Sequence, residues 1–561
     1  MNIIGINYLS ESSVCLIRNG KLVSAISEER INRIKNWYGI PYKTIKLILD
    51  QNKMKYSDVD YFVTTGISVQ KKNVPQFEAY DEKKKKIIES NLSKKKKNIQ
   101  LNFLKKRMKQ EDQVINIRTK NILQKLKRKF KNLLVYDHHF SHAASACFSS
   151  GIKDSYCLTI DGWGDNSSSK IYKFKNGIFN QIASTPTIDS LGYFYGSITK
   201  LLGYKPHQHE GKILGLAAYG RNKKIAKEII NMISYDSKSN QFVGNYEKGL
   251  YQANFDNVNL KFLKRKYTKD QIAFSTQLAL ERTVIKCVKS LSKNKTNLVI
   301  AGGVFANVKL NQKISELKNI KKLYVFPNMG DGGLSVGAAQ YAYFKKTKKF
   351  PIKINSMYLG NRFSEKLIIS EINKFKLSFV KPKNIEKEVA ILLSKKKVIA
   401  HFSEKMEFGP RALGNRSILC SAEDAKINLT LNKKLNRTEF MPFAPILRKK
   451  DARKFLFVSE KVDYKYMTFT CDCKKSMLKA APAAVHVDNT ARPQIISKSD
   501  NKRLYKIISE YNKITGIPIL INTSFNMHEE PIVNSPNDAI RAFISGNLDY
   551  LVLEKFLISR K

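Results

Sequence analysis

The chain opens with an apolar run over residues 3–7, a polar turn (Ser10-Glu11-Ser12-Ser13), and two alternating segments, 14–18 and 21–26, joined by Asn19-Gly20. Asn-Gly between alternating runs is the strongest short hairpin signal, so the pattern predicts strand, turn and hairpin. It recurs: 156–160 is apolar, 161–169 is a small polar loop, and 170–175 meets residues from 178 onward across Asn176-Gly177. Two copies of one pattern predict a duplicated α/β domain with nucleotide held between its halves. Between the copies, residues 82–130 are polar and lysine-rich. Leu101, Leu104 and Met108, then Leu123, Leu126 and Phe130, recur at helical spacing and predict long helices with solvated basic faces.

Further along, a buried-strand candidate at 298–301 enters Gly302-Gly303-Val304-Phe305-Ala306-Asn307. Another at 323–326 enters Pro327-Asn328-Met329-Gly330-Asp331-Gly332-Gly333. Strand, glycine turn and helix N-terminus make a phosphate-binding geometry through unpaired amides and the helix dipole. The glycines around Glu210 and Lys212 suit close backbone approach to a ligand, with Lys212 available to a phosphate. Actin, the sugar kinases and the heat-shock chaperone ATPases are built from such duplicated halves, and the chain resembles their superfamily at the level of fold.

A lysine-rich stretch with Pro351 predicts a linker at 346–357, between domains at 1–345 and 358–561. The second domain starts with a strand at 398–402 leading into Met406-Glu407-Phe408-Gly409-Pro410-Arg411-Ala412-Leu413-Gly414-Asn415-Arg416. Arginines in glycine-rich turns are unfavourable unless they hold an anion or a carboxylate, so Arg411, Arg416 and Arg492 could ring a phosphate. A structural salt bridge is the alternative for each.

The densest chemistry lies in Asp137-His138-His139-Phe140-Ser141-His142-Ala143-Ala144-Ser145-Ala146, which holds three of only eight histidines. If a helix starts here, His138 and His142 lie one turn apart on one face and can share an ion that would still want carboxylates or water. The alternative is a capped helix with two partly buried histidines.

Composition narrows the class. The net charge of +53 is mostly lysine spread along the chain, and no RNA- or DNA-reading module accompanies it, so no specific nucleic-acid partner is expected. No run of 18 apolar residues predicts a membrane span. Seven scattered cysteines form no zinc or disulfide framework, and the start carries no export signal, which makes the cytoplasm the expected compartment.

Taken in order, these stretches resemble the carbamoyltransferase family that includes nodulation protein NodU and the antibiotic O-carbamoyltransferases TobZ and CmcH. The motifs are His138-His139-x-x-His142-Ala143, His209-Glu210-Gly211-Lys212, Glu407-Phe408-Gly409-Pro410-Arg411-Ala412-Leu413-Gly414 and Asn522-Thr523-Ser524-Phe525-Asn526. The resemblance implies an actin-like, TsaD-like duplicated domain followed by a YrdC-like α/β domain with a twisted sheet. It implies that the second forms carbamoyl-adenylate from carbamoyl phosphate and ATP. The first then passes the carbamoyl group to a hydroxyl of a small molecule, often a sugar. Matched by motif, a divalent metal (iron, manganese, cobalt or zinc, with magnesium accompanying ATP) falls to His138, His142, Asp161 and Asp331. Catalytic roles fall to Glu11, Lys35, His139 and Lys212, and adenylate binding to Glu210, Gly211, Gly302, Gly303, Asn307 and Gly332. ATP and carbamoyl phosphate fall to Arg411, Arg416, Arg437, His486, Arg492, Asn522, Ser524 and Asn526.

Three departures stand out. Ser10-Glu11 replaces a common His-Asp, so the base expected there is either missing or replaced by Glu11. Leu435 and Met441 replace a Lys and an Arg, and Asn489 replaces a Gly. The second of these motivates a different acyl or phosphoryl donor as an alternative. A tRNA-modifying enzyme of the threonylcarbamoyl-adenosine type is a further one, and a homodimeric state is left open.

Overall fold

Both predicted hairpins form, and for the local reason the sequence gives. Strand Asn2–Asn7 (β1) pairs with Ser13–Arg18 (β2), which turns through Asn19 and Gly20 into Lys21–Ser27 (β3). Both turn residues have positive φ, 48° and 80°, as do Asn176 and Gly177 at 50° and 88°. Those are the dihedrals of the tight turn whose twist matches a hairpin. The computed structural model describes residues 1–66, 76–110, 117–221, 223–246, 260–436 and 441–560.

The first sheet is completed by Tyr61–Thr65 (β4) and Leu133–Tyr136 (β5), in the order β3-β2-β1-β4-β5. The repeat contributes Asp154–Gly164 (β6), Ser167–Lys175 (β7) and Ile178–Pro186 (β8). A two-stranded sheet of Ile233–Asp236 (β9) and Gln241–Gly244 (β10) follows, then Thr296–Ala301 (β11) and Ile320–Val325 (β12). Its large sheet runs β8-β7-β6-β11-β12, the same order. The pairings agree as well: β1 with β2 and β6 with β7 are antiparallel, while β4 and β11 run parallel to β1 and β6. This is the actin-like duplication in three dimensions. The helix after each last parallel strand, His138–Ser150 and Leu334–Thr347, packs on its counterpart. A Cβ at Gly337 would run into the Ser141 carbonyl, so only glycine permits that approach.

The lysine-rich insertion between β4 and β5 contains helices Gln76–Glu89, Lys94–Gln110 and Ile117–Lys129. Most of their lysines are exposed, but Lys83 is buried against Asp189, with Nζ 3.0 Å from the carboxylate. Burial pushes the Asp189 carboxyl up, and the Lys83 charge and the Gly244 amide oppose that.

Chain contacts divide the protein into two units, Met1–Val23 with Tyr38–Ile354, and Ser24–Trp37 with Asn355–Lys561. The division falls between Ile354 and Asn355, and residues 24–37 group with the second unit. There Arg30 Nη2 donates to the Gly409 carbonyl (3.0 Å), and Arg33 donates to the carbonyls of Pro531 and Ile532.

The second unit carries a mixed sheet of Ile399–Phe402 (β13), Arg416–Ser421 (β14), Ala444–Arg448 (β15), Gln494–Ile496 (here β18, after the short pair Cys471–Asp472, β16, and Thr490–Ala491, β17), Ile519–Ser524 (β19), Tyr550–Leu553 (β20) and Phe556–Ser559 (β21). Its order is β18-β15-β19-β14-β13-β20-β21. Helices Ile385–Ser394 and Lys502–Thr515 cover it with Val389, Leu393, Leu504, Ile508 and Tyr511, over Leu419, Leu520 and Val552. All seven cysteines are buried and lie outside any disulfide. Among the described residues, no helix is long and apolar enough to cross a membrane.

The buried ion pair gives a stability prediction. Lys83→Ala, which strands a buried carboxylate, should cost about 3–5 kcal/mol. Lys83→Met combined with Asp189→Leu should cost much less. Denaturant unfolding of the three proteins checks the ordering.

Candidate metal centre and anion site

Asp137 caps the helix His138–Ser150 by accepting from the Phe140 amide (2.8 Å), and Lys170 holds its other oxygen at 2.7 Å. Helical geometry then puts His138 and His142 on one face, both essentially without solvent exposure. The His138 amide donates to Asp165 (2.7 Å), and Gly164 has no Cβ where the His138 ring sits. Asp161 extends from β6, with its Oδ1 accepting from the Gly162 amide (2.6 Å) and its Oδ2 from the Gly303 amide (3.1 Å). Asp331 stands in the turn after β12, where Glu11 accepts from the Gly332 amide (3.2 Å) and Ser13 donates to the Gly332 carbonyl (2.8 Å).

The four side chains converge. His142 Nε2 lies 3.2 Å from Asp161 Oδ2 and 3.6 Å from Asp331 Oδ1; His138 Nε2 lies 4.0 Å and 3.5 Å from the same two atoms. One donor atom from each residue falls within 4.8 Å of the others. Bonds of about 2.1 Å to a shared ion put neighbouring donors about 3–3.4 Å apart, so the spacing is close to that of a ligand set. Among the described residues neither Nε2 makes a hydrogen bond. Burial pushes Asp331 up to about 8, with the negative charge of Asp161 adding to it against the pull of His138. Burial works the same way on Asp161, but the two imidazoles outweigh it and hold that carboxyl well below the usual range. A divalent cation suits such a pair of carboxylates and two imidazoles by charge and donor type.

Other residues expected at this site divide. Glu11 lies beside the Asp331 turn, in left-handed backbone (φ 53°). His139 is fully buried, and its Nδ1 and Nε2 lie 3.0 Å from Thr159 Oγ1 and the Ser167 carbonyl, contacts that brace the helix against β6 and the start of β7. Burial, then the neighbouring histidines, hold its pKa well below the usual imidazole range. Asn307 is likewise engaged in folding, capping the helix Val308–Ser315 through Leu310 and donating to Gln277 (2.7 Å). Glu210 accepts from the His207 amide (2.6 Å), and burial pushes its carboxyl up. Lys212 is buried with Nζ 5.9 Å from the Tyr204 ring, whereas Gly211 is exposed with open space around it. Gly302 and Gly303 form the turn against β6 that meets Asp161. Lys35 is exposed and lies in the segment that groups with the second unit. Sequence reasoning missed Asp165, Gly164, Tyr193 and His207. The last two approach Gly162, each with a ring atom about 4 Å from where its Cβ would be. The signal available was the glycine-rich turn around Asp161.

In the second unit the register gathers the motifs at one end of the sheet. β14 and β19 pair Ser417 with Ser524 and Leu419 with Asn522; β15 brings Ala444 opposite Asn522, and β18 starts at Gln494. Asn522 donates to Gln494 (2.7 Å) and to the Ala412 carbonyl (3.2 Å), and Gln494 donates to the Leu413 carbonyl (2.8 Å). Glu407, missed as a loop former, accepts three amides, from Leu413, Asn415 and Arg416. Arg411 and Arg492 are half-buried on the two connections that enter this end. Arg416 is corrected: it is fully buried, its guanidinium donates to the carbonyls of Ser403, Asn415, Asn361 and Glu404, and it lies 3.6 Å from the Phe402 ring. Both terminal nitrogens of its guanidinium are taken up by loop carbonyls, which shapes the loop. Asn526 donates to the carbonyls of Met527 and Glu530, bracing its own turn. His486 Nδ1 lies 3.5 Å from Asp488. Arg437 lies outside the described residues.

Two outcomes are expected. Purified protein should bind one divalent ion per chain, and His142→Ala should lower the bound metal at least tenfold by elemental analysis. Arg416→Ala, which strands buried carbonyls, should destabilise the protein by about 3 kcal/mol in denaturant unfolding.

Comparison with known proteins agrees with the motifs. The chain matches the carbamoyltransferase N-terminus over residues 2–340 and the carbamoyltransferase C-terminus over residues 390–560. An uncharacterised protein of Methanocaldococcus jannaschii is 34% identical over 574 residues, covering 100% of this chain and 99% of its own length. Nodulation protein NolNO of Sinorhizobium fredii is 28% identical over 99% of this chain and 79% of its own length. Nodulation protein U of Rhizobium tropici is 25% identical over 100% and 96%. With both halves matched in order, the chain belongs to the carbamoyltransferase family and is a carbamoyltransferase.

Proposed function

We propose that the second unit makes carbamoyl-adenylate from ATP and carbamoyl phosphate, and that the first unit transfers the carbamoyl group to a hydroxyl of a small molecule, a sugar or glycan precursor. The observation that carries this reading is the buried two-histidine, two-aspartate cluster in a chain whose separate second unit gathers arginines at one sheet end. In the first stage, carbamoyl phosphate loses inorganic phosphate to water, and the resulting carbamate oxygen displaces pyrophosphate from the α-phosphorus of ATP. Arg411 and Arg492 hold the phosphate oxygens, and the amide-rich Gly409–Asn415 loop, held by Glu407, orients them.

In the second stage the acceptor oxygen attacks the carbamoyl carbon, the bond to AMP oxygen breaks, and the acceptor proton passes to a base. Glu11 is placed for that base, with its carboxylate fixed beside the Asp331 turn by the Gly332 amide. Glu210 and Lys212 attend the adenylate. A divalent ion such as iron, manganese, cobalt or zinc, held by His138, His142, Asp161 and Asp331, supplies Lewis acidity and lowers the pKa of a bound oxygen.

Leu435 is buried beside Gly546 and Met441 has no charge to offer an anion, which favours a second reading: the same two stages with another acyl donor. A donor panel read by mass spectrometry separates them, because the acyl-adenylate mass names the donor.

Purified protein given ATP, carbamoyl phosphate and a divalent metal should release pyrophosphate. Arg411→Ala or Arg492→Ala should reduce that release at least a hundredfold. His142→Ala should keep the release and let carbamoyl-adenylate accumulate. Pyrophosphate absent with every donor and every metal overturns the reading.

A further inference from the structure

The helix Lys94–Gln110 is mostly lysine toward solvent, yet its inward face reads Gln100, Leu104 and Arg107, spaced four and three residues apart and all buried. Gln100 has no exposed surface, and among the described residues neither its amide nitrogen nor its amide oxygen has a hydrogen-bond partner. An unsatisfied buried amide costs about 1–3 kcal/mol and is retained where something else satisfies it. Arg107 is 5% exposed, and its guanidinium carbon lies 4.1 Å from the centroid of the Tyr193 ring.

The position of that face is fixed from both sides. Tyr193 is on the helix Leu191–Leu201, whose capping Ser190 donates to the Gly162 carbonyl (2.7 Å). The Tyr193 ring comes to about 4 Å from where a Cβ on Gly162 would stand, and Gly162 directly follows the ligand Asp161. The 3-10 turn Thr187–Asp189, just before this helix, holds the Lys83–Asp189 pair from the insertion's first helix. The insertion is therefore fastened over the segment bordering the metal centre, with a guanidinium one aromatic ring away from the Asp161–Gly162 backbone.

We propose that this face is the specificity wall for the acceptor: Arg107, backed by Tyr193 and with Gln100 two turns along, takes the phosphate ester of a phosphorylated sugar whose free hydroxyl faces the metal centre. The class follows from the chemistry. A planar guanidinium matches phosphate oxygens in pairs, an aromatic face suits a sugar ring, and a buried primary amide supplies one donor and one acceptor to a hydroxylated ligand. This inference rests on the first unit being the transfer site.

The test measures binding to the full-length, metal-loaded protein by calorimetry, with glucose 1-phosphate, UDP-glucose and glucose as probes. At least one phosphate ester should bind saturably at millimolar concentration or below, with glucose at least tenfold weaker. Preference between the two esters tells a simple sugar phosphate from a nucleotide sugar. Arg107→Gln should weaken ester binding at least tenfold and leave metal content unchanged; Arg107→Lys, which keeps the charge but not the fork, should weaken it severalfold and stands in if Arg107→Gln does not fold. Equal ester binding in wild type and variants, or none in wild type, overturns the proposal. Binding that survives both Arg107 variants but is lost with His142→Ala places the phosphate on the metal, and also overturns it. Absence of pyrophosphate release would instead strike the adenylate reading and leave phosphate binding at Arg107 standing.

Discussion

Two carboxylates, Asp161 and Asp331, share a buried place with donor oxygens less than 5 Å apart. At that separation two full negative charges repel by about 3–4 kcal/mol at an effective dielectric near 20, before any cost of burial is counted. The rise of Asp331 to about 8 is the same repulsion and burial expressed as protonation. A structure that keeps both groups aimed at one point must therefore hold them there mechanically. The holding parts can be named: the Gly303 amide on Asp161, the Glu11 and Ser13 contacts on the Asp331 turn, and Asp165 on the His138 amide. Each belongs to a connection leaving a strand end, so the duplicated sheet order fixes the cluster.

The legible parts of the sequence were those with short-range causes. Asn-Gly between alternating runs specifies a hairpin by its own dihedrals, and both hairpins formed. His138 and His142 share a face because they are four apart, whatever else the chain does. Asp161 and Asp331 could be nominated by their places, at a strand end and in a glycine turn. That they meet depends on β6 and β12 lying two strands apart in one sheet, which no local pattern states. His139, one residue from His138, is turned about 100° around the helix, toward Thr159 and Ser167.

Arginines and lysines were harder, because residue type says nothing about which side of a loop or helix is inside. Arg411 and Arg416 sit five residues apart in one glycine-rich loop, yet Arg416 is enclosed by carbonyls and a phenyl ring while Arg411 stays half-exposed. The difference arises because Arg416 begins β14 and its side chain enters the core, a fact of the sheet. Lys83 and Arg107 were hidden in the same way inside a stretch that looks uniformly basic. The grouping of residues 24–37 with the second unit is held by Arg30 and Arg33 donating to carbonyls some 380 to 500 positions away. Contacts of that range leave no periodic trace.

The charge of +53 acts at two scales. Solvated lysines are screened over roughly 8–10 Å at ordinary salt and contribute little to any single contact. Summed, they make a positive field that raises the encounter rate of anions, and ATP and carbamoyl phosphate in the proposed reaction scheme are both anions. Such a field cannot choose among them. Choice requires groups whose water has been removed, where a misplaced or missing partner costs several kcal/mol. The chain has few such cations, and in the first unit they include Lys83, Arg107 and Lys212. Lys83 is used up on Asp189. Lys212 and Arg107 come from separate elements, a short helix of the repeat and the insertion, so the repeat and the insertion each contribute a buried cation to this unit.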